Sequence, residues 1–146
     1  MGKAMCLIGG GILPLFLGFL LNWLMLAFPV SGFITLLLAL LFLLMWGYLS
    51  FQLSASAKSP VLQAFLMCAF GLLMLALVLY QELVMGRYWG GLAGFGPQMF
   101  FLPWISLASL VVRPFMSVVR MWPIYIVIWI GLFITSCIGC KKKQAK

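Results

Sequence analysis

The chain has 146 residues, of which 66% are hydrophobic and 7% charged, with one acidic residue against nine lysines and arginines; soluble domains run near ~45–50% apolar and ~25% charged. Together with a mean hydropathy of +1.26, this is the composition of an integral membrane protein, and ~20 apolar residues per crossing give this length of chain room for at most about five spans and no separate soluble domain. Histidine and aspartate are absent and Glu82 is the one acid, which excludes imidazole-ligated haem, His-based zinc sites, Ser-His-Asp triads and paired-carboxylate catalysis together.

Charged positions divide the chain into uncharged runs of 54, 23, 25 and 20 residues. The first, residues 4–57, would be ~80 Å long as one helix against a ~30 Å hydrocarbon core, so it must fold back. Phe28-Pro29-Val30-Ser31-Gly32 is the predicted turn, because a residue before proline is steered away from helical geometry and Ser31 suits an N-cap. Two spans are therefore expected, at about 5–28 and 31–51. The N-terminal apolar run is too long for a signal h-region and lacks a small-x-small cleavage site, so it reads as a retained anchor. A small, polar loop over 52–59 leads to Ser59-Pro60, which reads as N-cap and first turn of a third span at about 60–81.

The segment 87–97 carries four glycines and Pro97 beside Tyr88 and Trp89 and is expected at the headgroup interface rather than in a helix. Residues 98–120 show Ser106, Ser109, Arg113, Ser117 and Arg120 at intervals of three or four, a polar stripe on one helical face. The expectation is an interfacial or re-entrant amphipathic helix there, bent by Pro114, followed by a last span at about 121–140. The predicted fold is thus all-α, one polytopic membrane domain of four transmembrane helices with a basic tail over 141–146. Five spans, with 98–120 crossing, is the alternative. Positive charge favours four, because Lys3, Lys58 and the tail Lys141, Lys142, Lys143 and Lys146 then share a side opposite Arg87, Arg113 and Arg120, which places both termini in the cytoplasm.

Helices associate in lipid by close packing, so small residues mark contact faces. The predicted ones are Gly11 and Gly18 on the first span, Ser31, Thr35, Ala39 and then Ser50 on the second, and Ala64, Cys68 and Gly71 on the third. Polar groups within the spans mark a candidate transport path, with Glu82 as a coupling carboxylate and Asn22, Arg113 and Arg120 as companions. Cys137-Ile138-Gly139-Cys140 is a C-x-x-C pair at a helix C-terminus, where the dipole disfavours a thiolate, so S-acylation beside the basic tail competes with a redox role. Two thiols fall short of a metal site, and neither metal nor cofactor is expected. The tail lysines are expected on anionic lipid headgroups. The +8 charge is divided between the membrane edges, so no nucleic-acid partner is expected.

The functional expectation is a non-catalytic accessory, assembly or structural subunit of a larger membrane complex. The partners expected are the lipid bilayer and other membrane subunits, and the sequence leaves a soluble substrate open. A small homo-oligomeric transporter or channel using Glu82 is the alternative, and a membrane thiol redox protein using Cys137 and Cys140 comes third.

Overall fold

A computed structural model describes residues 2–54, 59–87, 89, 91–115 and 121–144. It is all-helical among the described residues, with five segments long and apolar enough to cross a bilayer, the composition and form of a multi-pass membrane protein. The elements are α1 (Gly2–Gly10), α2 (Leu13–Ala27), α3 (Gly32–Leu53), α4 (Pro60–Leu79), α5 (Leu92–Phe101), α6 (Ile105–Val112) and α7 (Trp122–Gln144). A π-helical turn over Tyr80–Val84 prolongs α4, and 3-10 turns over Leu102–Trp104 and Arg113–Phe115 bracket α6.

The first span is two helices rather than one. Pro14 in the first turn of α2 has no N–H to return to Gly10, and Ile12 bonds only three residues back, to the Gly9 carbonyl at 3.2 Å. Gly11 at the break lies so close to α4 that a Cβ there would stand 2.4 Å from the Met67 carbonyl oxygen. The turn into α3 follows the sequence logic: Phe28 ends α2 in extended geometry, and the Ser31 hydroxyl accepts the Ile34 N–H at 3.4 Å.

Two sets of contacts define the ends of the bundle. At one end, called here the tail end, Lys143 Nζ donates to the Gln52 carbonyl at 2.6 Å and Gly10 abuts Leu53. At the other, Glu82 Oε1 accepts the Met121 N–H at 3.0 Å. Helix α7 therefore runs from the Glu82 end to the tail end, and the first and last helices have their chain termini at the same end.

The segment between α4 and α7 turns back within the bundle. Its first arm, α5, starts beside Trp89, which packs on Tyr80, and descends until Met99 meets Gly18 and Phe100 meets Gly71, both midway along their helices. At the tip Trp104 stacks edge-on against Trp46 at 6.3 Å. The second arm, α6, then returns antiparallel to α7, and Ser106 Oγ donates to the Thr35 carbonyl at 3.2 Å near the start of α3. Arms of ten and eight residues reach about 15 and 12 Å, half of a ~30 Å core. The result is four segments that run the length of the bundle and a helical hairpin that starts and ends at the Glu82 end.

Two details differ from the sequence expectation. The hairpin begins at Leu92, so the glycine-rich stretch expected at the interface is largely helical, with Pro97 inside it. Burial explains this: Pro97 and Pro103 are fully buried, and backbone deprived of regular hydrogen bonds is tolerated at membrane depth where protein surrounds it. Gly94 allows the close start, since a Cβ there would collide with the Trp89 carbonyl. Secondly, α7 continues through Lys141–Lys143 to Gln144, so these three lysines of the basic tail belong to the last turn of a helix, where cations oppose the negative end of the dipole.

Candidate functional site

Polar side chains gather in two places. The inner cluster ties α3, α4 and α7 together in the tail half. Trp46 Nε1 donates to the Ser136 hydroxyl at 2.8 Å and the Leu132 carbonyl at 3.1 Å, while Ser50 Oγ lies 2.8 Å from the Trp46 carbonyl, 3.2 Å from Ser136 Oγ and 3.1 Å from Met67 Sδ. Cys68 Sγ is 3.7 Å from Ser136 Oγ, and Cys140 Sγ faces the Ser50 carbonyl at 3.8 Å. All of these residues are buried. Hydroxyl and indole groups inside lipid-embedded helices find partners across the interface, and the close approach of Gly139 to the Gly47 carbonyl, 2.6 Å for an added Cβ, brings α3 and α7 within reach. Ser50 belongs to the small-residue face expected on the second span and is buried here against Ser136, whereas Trp46 and Ser136 are not among the residues the sequence marks out. The available signal was hydroxyls and an indole inside uncharged runs.

The second place is the hairpin end. The π turn, a widened helical turn often found where function is concentrated, sets Gln81 and Glu82 side by side. Gln81 is fully buried and its Oε1 accepts the Trp89 N–H at 3.4 Å. Glu82 is half-buried, and its carboxylate caps the start of α7 through the Met121 N–H, a favourable place for negative charge. Next to Met121 opens a cleft of about 350 Å³ between α2, α6 and α7. Its walls are Leu21, Met25, Ile105 and Ile124, and the stripe Ser106, Ser109, Arg113 runs along one side. Ser109 Oγ donates back to the Ser106 carbonyl at 2.8 Å. Arg113 is exposed at the end of α6.

Among the residues expected to share a transport path, Glu82 and Arg113 lie at the same end, joined through Met121, which one binds and the other faces across the cleft. Asn22 is half-buried on α2 and is not part of the cleft wall. Arg120 and Ser117 lie outside the described residues, as does Lys146. Gln63, another polar group of the third span, is buried near the start of α4, at the opposite end from Glu82.

The small residues fall into a different pattern from mutual packing of the first three spans. Gly18 receives the hairpin rather than α3 or α4: an added Cβ would lie 1.7 Å from the Met99 carbonyl oxygen. Gly71 likewise takes the Phe100 ring, 2.9 Å from such a Cβ. Gly11 meets α4, and Ala39, Ala64 and Cys68 are buried. Ser31 is exposed and serves as the α3 cap, while Thr35 bonds its own Gly32 carbonyl at 2.8 Å and lends its carbonyl to Ser106.

Of the C-x-x-C pair, Cys140 is buried against α3 and Cys137 is half-buried. The four cysteines are free thiols, and no group of three metal-binding side chains occurs among the described residues. Lys141 and Lys142 are exposed, whereas Lys143 lies over the Phe51 ring at 5.9 Å as it caps α3. The chain matches no family model, no curated protein and no solved structure.

Proposed function

We propose that the chain is a non-catalytic accessory, assembly or structural subunit of a larger membrane complex, with both chain termini in the cytoplasm. The observation that supports this is the outer wall formed by α3. Only 11% of its apolar window is buried against 44% for α4, and Phe33, Leu37, Leu40, Leu41, Leu44 and Tyr48 stand exposed. Large apolar side chains of this kind suit lipid tails and a partner's helix alike, and the proposal assigns the wall to a partner, on which it would pack by van der Waals contact. Several of the polar groups described above are meanwhile engaged in internal ties: Glu82 caps α7, Lys143 caps α3, and Trp46, Ser50 and Ser136 bond one another. The cytoplasmic assignment follows from Lys3, Lys58 and the tail lysines outnumbering Arg87, Arg113 and Arg120.

Mild extraction of the tagged protein from its native membrane, followed by intact-complex mass measurement, tests this. Stoichiometric larger partners are expected, and a clean monomer or homo-oligomer overturns the proposal. A second reading, a small transporter or channel, is favoured by the hairpin-end cleft with its Ser106, Ser109 and Arg113 wall. Under that reading Glu82→Gln abolishes solute or ion flux with assembly intact, whereas a purely capping Glu82 leaves flux unchanged.

A further inference from the structure

We propose that the hairpin-end cleft binds one anionic phospholipid from the surrounding bilayer, with an acyl chain between Leu21, Met25, Ile105 and Ile124 and its phosphate on Arg113. This goes beyond the subunit reading and does not depend on it. The cleft, about 350 Å³, is within the size range of small-molecule sites, and its polarity runs in one direction. Leu102, at the hairpin tip midway through the bundle, forms its inner part, and Arg113 stands at the outer edge. A lipid in that leaflet has the same order, headgroup outward and chain inward.

The serines do not disturb an acyl chain. Ser106 Oγ donates to the Thr35 carbonyl at 3.2 Å and Ser109 Oγ to the Ser106 carbonyl at 2.8 Å. Each hydroxyl has spent its single hydrogen within the protein, so covering the stripe with hydrocarbon strands no donor. Arg113 carries the charge. No carboxylate comes within ion-pair distance of it among the described residues, and Glu82, the one acid of the chain, bonds Met121. A planar guanidinium at the membrane edge binds phosphate oxygens in a bidentate manner. A soluble anion would use Arg113 and leave the apolar walls empty, whereas a phospholipid uses both.

The test is native mass spectrometry of the purified full chain with added phosphatidylglycerol or phosphatidylcholine of equal chain length. One phosphatidylglycerol is expected to stay bound under activation that strips phosphatidylcholine. Arg113→Gln should weaken that retention about five-fold, the equivalent of ~1 kcal/mol for one basic residue near an anionic surface. Ser109→Phe should fill the cleft and remove the bound lipid with the charge intact, and Lys142→Gln at the tail end should leave it in place. Equal retention of the two lipids, or undiminished phosphatidylglycerol retention in Arg113→Gln, overturns the proposal. Arg113 is exposed, so its replacement leaves the fold intact and decides the question even where Ser109→Phe fails to fold.

Discussion

The contact between Gly18 and the hairpin offers the sharpest test of the fold. A Cβ on Gly18 would lie 1.7 Å from the Met99 carbonyl oxygen, 2.6 Å from its carbon and 3.2 Å from its Cα. Ordinary van der Waals contact begins at 3.4 Å, so Gly18→Ala must drive α2 and α5 apart by well over an ångström. All three neighbouring atoms are backbone, so no side chain can rotate away. Overpacking costs about 1–3 kcal/mol in well-packed interiors, and a backbone clash belongs at the upper end, about 3 kcal/mol. Gly131→Ala is the matched control: nothing lies within 4 Å of its added Cβ, and removing a mid-helix glycine is worth a gain of roughly 0.5–1 kcal/mol. Thermal unfolding in detergent can be followed with a thiol-reactive fluorophore, because Cys68 and Cys140 are buried and become reactive on unfolding. At about 2–4 °C per kcal/mol for a chain of this size, Gly18→Ala should melt roughly 6–12 °C below the parent and Gly131→Ala at or slightly above it. Equal melting of the two variants would refute the packing of the hairpin against α2.

Topology gives a second test, in sealed vesicles with an impermeant thiol reagent. Native Cys6 and a cysteine introduced by Phe115→Cys, both exposed, should label from opposite sides, and labelling from one side would mean that 94–115 crosses. Ser136→Ala removes an acceptor of Trp46 and a partner of Ser50, so a loss of about 0.6–1.7 kcal/mol is expected from the worth of interhelical bonds in membranes; the same melting assay checks it. Glu82→Ala should lose about 1 kcal/mol through the missing cap on α7. Glu82→Gln, which keeps a carbonyl acceptor, should lose less, and equal losses would show that charge rather than the Met121 bond matters.

The uncharged runs and Pro29 located the four segments that run the length of the bundle because lipid imposes a length and proline imposes a bend, and both are properties of the local chain. The Ser106, Ser109, Arg113 stripe was legible for the same reason, since period alone places those three on one face of α6. The start of the hairpin was not. Four glycines and a proline argue against helix by propensity, and α5 forms because neighbouring helices bury Pro97 and because Gly94 admits the Trp89 carbonyl. The Trp46, Ser50 and Ser136 cluster was equally hidden, since it joins residues 86 to 90 positions apart. Lys143 reads as tail until its amine is seen on the Gln52 carbonyl.

Composition and charge by themselves determined that this chain is a multi-pass helical membrane protein without histidine or paired-carboxylate chemistry, because transfer free energies depend on residue type rather than partner. Whether 94–115 crosses or turns back was a tertiary decision. Its length and hydropathy suit either path, and what selects the hairpin is the room left by Gly18 and Gly71 for Met99 and Phe100, together with the bond from Ser106 to Thr35. The same fold made the cleft, since only a returning α6 brings Arg113 beside the apolar side chains of α2 and α7.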